Sequence, residues 1–98
     1  MTKNQPVTMD QGVELYPQTP GAVLLDVRTE EEYELQRVPG SLNWPLDRID
    51  EYAGSKQAPL FVYCYSGARS EQACLWLRRN GYTATNIGGI SQYHGEVE

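Results

Sequence analysis

Cys64 closes the apolar run PLFVYC (59–64) and is followed by Tyr65, Ser66, Gly67 and Ala68, then by Arg69 and Ser70. A turn of small residues leading into a helix can aim successive backbone N–H groups at one point. Such a nest collects negative charge, and the partial positive charge of a helix N-terminus adds to it. Gly67 brings the backbone freedom the turn needs, and Arg69 brings a permanent cation with a planar fork of donors. A cysteine facing these groups is expected to have a depressed pKa and to stand as the thiolate, the form that attacks electrophiles and sulfur. Cys64 is therefore the expected nucleophile, with Arg69 the loop's one cation. Tyr65, Ser66, Gly67, Ala68 and Ser70 are expected to line the binding site.

The flanking sequence reads as alternating helices and strands that would hold this loop. Thr8 to Gln11 has the Ser/Thr-x-x-Gln/Glu form of a helix start, and Pro17 and Pro20-Gly21 end that helix. AVLLDVR (22–28) reads as a strand buried on both faces. Thr29-Glu30-Glu31-Glu32 is a second capping box whose acidic first turn suits the helix dipole, so the acidic run is read as a helix start rather than a metal site. Pro39-Gly40 stops that helix. SLNWP (41–45) reads as a short strand, and Asp47 as the cap of a short helix ending at Gly54. Ser70 to Asn80 reads as a helix ended by Gly81, YTATNI (82–87) as a strand, and Gly88-Gly89 as a turn into a last helical segment.

This order implies an α/β fold with a small parallel sheet and helices on both faces. Ligands in such sheets bind beyond the carboxyl ends of the strands. Cys64 lies at one such end and the pair Asp26 and Arg28 at another. That pair can line the pocket or brace neighbouring loops, and bracing is the favoured reading. Cys74 shares a helical stripe with Ser70, Ala73, Leu77 and Gly81, so it reads as core, too far along the helix to bridge Cys64. Trp44 and Trp76 read as packing residues, with Trp44 and Tyr65 each able to wall the pocket mouth. His94 reads as exposed.

The 98 residues suit one domain spanning 1–98, and the formal charge of −5 argues against nucleic acid and anionic membrane surfaces as partners. Two cysteines and an N-terminus without an apolar leader suggest a cytoplasmic protein with reduced thiols.

VYCYSGARS (62–70) resembles the active-site loop of the rhodanese family of sulfurtransferases, of the form Cys-x-x-Gly-x-Arg-Ser. VLLDVRTEEEYELQRVPGSLNWPL (23–46) resembles the family's other signature, and GYTATNIGGI (81–90) the segment that closes its domain. The resemblance implies a rhodanese-like fold and a mechanism. Cys64 takes a sulfane sulfur from thiosulfate or a thiol persulfide, then yields it to cyanide, a small thiol or a protein acceptor. By the same resemblance the N–H groups of residues 65 to 69 cradle the outer sulfur, Arg69 orients the donor and helps fix the loop, and no metal or organic cofactor is needed. The family's usual His and Ala are Arg37 and Ser41 here, in a turn where little effect on chemistry is expected, and Tyr93 stands where Trp is frequent.

Two other classes stay open. One is a binding or sulfur-carrier module without turnover, although Cys64, Gly67 and Arg69 are all retained. The other is a phosphatase or arsenate reductase, disfavoured because four residues separate Cys64 from Arg69 where the related phosphatases have five. With one loop cation in an acidic protein, the thiosulfate dianion is expected to bind weakly, which favours a persulfide donor.

Overall fold

The computed structural model describes residues 7–98; residues 1–6, where the sequence was read for a leader, lie outside the described residues. Four parallel strands form one sheet in the order β2-β1-β3-β4. They are β1 (Val23–Asp26), β2 (Leu42–Asn43), β3 (Leu60–Cys64) and β4 (Ala84–Gly89). The helices are α1 (Met9–Leu15), α2 (Glu30–Leu35) and α3 (Ala68–Arg79), with 3₁₀ segments at Tyr16–Gln18, Leu46–Glu51 and Ile90–Gln92.

Side chains alternate across the sheet with the period-two pleat of extended chain. Leu25, Val27, Val62 and Cys64 face α3 and the Leu46–Glu51 segment, where they pack with Ile49, Ala73, Cys74 and Leu77. Leu24 and Tyr63 face α1, where they pack with Met9, Val38, Ile87 and Ile90. The sheet is thus covered on both faces, as its apolar central strands require. Burial of Ser70, Ala73, Cys74 and Leu77 seats α3 on the sheet, while Gly81, the last member of the expected stripe, lies past the helix and is exposed.

Both expected capping boxes form. The Thr8 hydroxyl accepts from the Gln11 N–H and that of Thr29 from the Glu32 N–H, each reciprocated by the N3 side chain. Several boundaries differ from expectation, and α3 starts at Ala68 rather than Ser70. Asp47 caps nothing: the 3₁₀ segment starts behind Pro45, lacks a side-chain cap, kinks at Arg48 and ends at Glu51 rather than Gly54. β2 is two residues long because Pro39-Gly40 and Pro45 confine it. β4 runs through Gly88-Gly89 instead of turning there. It bulges at that point, since Val62 pairs with Asn86 but Tyr63 with Gly88. Bulges of this kind bend a strand end and are common beside functional sites. Among the described residues no helix is long and apolar enough to cross a membrane.

Candidate active site

β3 delivers Cys64 to the floor of the loop, and Gly67 turns the chain into α3. Gly67 takes φ +106°, a conformation open to glycine, and a Cβ there would come within 3.4 Å of the Gly88 Cα. No side chain caps α3 at Gly67. Its first-turn N–H groups have no helical partner, and the Cys64 sulfur takes the cap's place. The Gly67 N–H donates to Sγ at 3.0 Å and the Ser70 hydroxyl lies 3.4 Å from it. Burial pushes the Cys64 thiol up. The Ser70 hydroxyl and the N–H groups of Ser70, Gly67 and Ser66 outweigh that and bring its pKa below the ordinary thiol value.

Exposure does not distinguish the two thiols, for Cys64 is 1% exposed and Cys74 is 0% exposed. Their surroundings do. Cys74 sits in apolar core, where burial pushes it up to about 12. Donors converge on Cys64 and lower it.

A second set of contacts holds the loop's shape. The Asn86 side-chain amide donates to the Gly67 carbonyl at 3.1 Å, and its oxygen accepts from the Ser70 hydroxyl at 2.7 Å and the Gly88 N–H at 3.0 Å. Ser91 N–H donates to the Tyr65 carbonyl at 3.1 Å. Gly89 passes so close beneath the loop that a methyl on it would overlap the Tyr65 carbonyl and the Ser66 Cα. Asn86, Gly88 and Gly89 are site-building residues that sequence reasoning missed. The glycine pair after a strand was the available sign, but it reads equally as a turn.

Arg69 occupies a place the sequence did not reveal. Its Nη1 and Nη2 donate to the two Glu32 oxygens at 2.7 and 3.0 Å, a bidentate pair between α3 and α2. Hydrogen bonds from Arg69 lead the causes that, against burial, hold Glu32 at about 2. Beside this pair opens a cleft of about 440 Å³, lined by Val27, Thr29, Pro45, Leu46, Arg48 and Arg69, with Glu30 and Asp47 at its edge. Arg48 bonds Glu30 there at 3.0 Å.

Asp26 and Arg28 lie on the Tyr63 side of the sheet, because Asp26 pairs in register with Tyr63 and Leu25 with Val62. Both are buried and joined by an ion pair of 2.8 Å, and Arg28 Nη2 also donates to the Gln36 carbonyl at the end of α2. The pair ties the end of β1 to the end of α2. Ser41, where the resemblance gave Ala, accepts a hydrogen bond from the Tyr63 hydroxyl at 3.2 Å, and Arg37 stacks over the Tyr33 ring at 4.9 Å. Trp44 packs edge-on against Tyr52 at 5.2 Å and donates from its ring nitrogen to the Arg48 carbonyl. Tyr65, Ser66 and Ala68 are exposed on the loop. His94 is exposed and bonded to Asp10 at 2.7 Å.

Known proteins resemble this chain in sequence and fold. Residues 10–96 match the Rhodanese-like domain family. The thiosulfate sulfurtransferase PspE of Escherichia coli is 37% identical over 71 residues, 67% of this chain and 68% of that protein. The thiosulfate sulfurtransferase GlpE of Coxiella burnetii is 31% identical over 75 residues, 72% of this chain and 70% of that protein. The chain spans only 43%, 24% and 21% of the length of three other curated relatives. The crystal structure of a rhodanese-like domain protein from Staphylococcus aureus superposes with a TM-score of 0.84 at 26% identity, covering 96% of each chain. A parallel sheet that ends in a cysteine cradled by its own loop, matched over nearly all the described residues, places this chain in the rhodanese-like domain family.

Proposed function

We propose that the protein is a sulfurtransferase in which Cys64 carries the sulfur as a persulfide, residues 1–98 acting as one domain in a reducing, cytoplasmic setting. The observation that carries this reading is the convergence of the Gly67 N–H and the Ser70 hydroxyl on a buried sulfur at the start of α3. In the first half-reaction the Cys64 thiolate attacks the terminal sulfur of the donor. The Cys64 S–S bond forms, the donor's bond to that sulfur breaks, and sulfite or a thiolate leaves with the electron pair. In the second, cyanide or a thiolate attacks the outer sulfur and Cys64 departs as the thiolate. The charge that comes to rest on sulfur, as the Cys64 persulfide and then as the departing Cys64 thiolate, meets preorganised N–H donors in both half-reactions. No general base is required once Cys64 is ionised.

The four residues that separate Cys64 from Arg69 favour sulfur transfer over phosphoryl transfer, a reading that rests on the family resemblance, since the related phosphatases have five. Names of relatives such as PspE and GlpE agree with the reading. The test is steady-state thiocyanate formation from cyanide with thiosulfate or glutathione persulfide as donor. Turnover that vanishes in Cys64→Ser and persists in Cys74→Ala supports the proposal. No turnover by the folded wild-type protein with either donor contradicts it.

A further inference from the structure

Arg69 is the one cation of the active-site loop, and both of its terminal nitrogens are committed to Glu32. The other arginine on the adjoining cleft, Arg48, is committed to Glu30. Asp47 lines the same cleft. Three carboxylates therefore stand against two guanidiniums around Arg69 and the cleft it lines, in a protein whose formal charge is already −5. Neither of these two guanidiniums is left without a carboxylate.

We propose that Glu32 sets donor specificity: by filling the Arg69 fork it disfavours doubly charged sulfur donors and leaves the site to donors carrying one charge or none at the sulfur end. Glu32 is a positioning residue that acts through Arg69, and the proposal rests on the sulfur-transfer reading above. The pair is well placed for the role. It is bidentate, half-buried, and fixed on the α2 side by the Thr29 N–H and hydroxyl, which both donate to Glu32 Oε1. The carboxylate stays ionised through the whole working pH range, held down chiefly by Arg69.

Glu32→Gln removes the charge and keeps an oxygen for the Thr29 box. Two donors of the same chemistry and different charge read the effect. Thiosulfate is a dianion and transfers its terminal sulfur with loss of sulfite. Methanethiosulfonate is a monoanion and transfers its terminal sulfur with loss of methanesulfinate. Coulomb energy scales with donor charge. If the substitution speeds Cys64 loading from thiosulfate about tenfold, it should speed loading from methanethiosulfonate only about threefold, the square root. Single-turnover loading is followed by intact mass, with circular dichroism on the same samples.

A thiosulfate-to-methanethiosulfonate rate ratio that rises in Glu32→Gln supports the proposal. A ratio that stays or falls overturns it, even if both rates drop, because a merely structural role would slow both donors alike. Should the variant not fold, the wild-type salt dependence decides. A thiosulfate rate that is flat or rises with ionic strength supports a neutralised fork, and one that falls steeply shows a free cation and overturns it. Loading from neither donor in the wild-type protein contradicts sulfur transfer itself, a separate outcome.

Discussion

Replacing Ser70 with alanine isolates the largest hydrogen-bonding contribution to the Cys64 thiolate. The hydroxyl is buried and 3.4 Å from Sγ, and it is shared with the Asn86 side-chain oxygen at 2.7 Å. A hydrogen bond to a charged acceptor contributes about 1.5 to 3 kcal/mol. The long, shared contact belongs at the low end, about 1.5 kcal/mol, and its loss raises the Cys64 pKa. Below both midpoints the thiolate fraction then falls about tenfold. A thiolate of higher pKa is intrinsically more nucleophilic, so alkylation by iodoacetamide slows only about threefold at that pH. The assay is the pH dependence of alkylation, with thiolate ultraviolet absorbance as a second reading. Cys74, pushed up to about 12, does not titrate in the same range. Stability should drop by about 1 kcal/mol, and no further, because Asn86 Oδ1 keeps its bond from the Gly88 N–H at 3.0 Å. A folded Ser70→Ala protein whose Cys64 midpoint does not move would refute the attribution of the thiolate to this hydroxyl.

Asp26→Asn leaves the buried Arg28 without its counter-charge and should cost about 3 kcal/mol, measured as a shift in the urea midpoint; a loss below about 0.5 kcal/mol would mean that the pair is not a brace. Cys74→Ala should cost about 1 to 2 kcal/mol as a small core truncation, with turnover retained, and a loss of turnover in the folded variant would expose a redox role for Cys74. Glu32 moves from an ordinary 4.5 to about 2 in the folded protein, so its pairing with Arg69 stabilises the fold fully above pH 4.5 and is lost as pH falls toward 2. Glu32→Gln should therefore flatten the wild-type loss of stability across that acid window, seen in urea titrations at successive pH values. An equally steep acid limb in the variant would remove the pair from the account.

Much of the site was readable before any coordinates because its parts are contiguous. An apolar strand, a glycine and a helix start lie within residues 59–80, so local propensity and the position of Cys64 agree. The stripe Ser70, Ala73, Cys74 and Leu77 was equally local, and all four are buried. What escaped was non-local. Glu32 and Arg69 are 37 residues apart, and nothing in the acidic first turn of α2 says which of its three glutamates meets an arginine. The face on which Asp26 and Arg28 fall depends on register with β3, which pairing reveals and composition does not. Asp47 misled because Asp ahead of a short segment that holds Ile49 has the look of a cap. Pro45 instead sets the chain into a 3₁₀ segment at once, leaving Asp47 inside the first turn. Gly88 and Gly89 show the same limit. They allow β4 to bulge and slide beneath the Cys64 loop, and the need for that space comes from a segment more than twenty residues away.

The central claim is that the loop makes Cys64 a sulfur-accepting thiolate. Intact-mass spectrometry of the wild-type protein after incubation with a sulfane-sulfur donor tests it directly, with peptide mapping to place the added mass. The account predicts one added sulfur on Cys64, none on Cys74, removal of that sulfur by cyanide, and no addition in Cys64→Ser. Sulfur that settles on Cys74, or addition undiminished in Cys64→Ser, would contradict it.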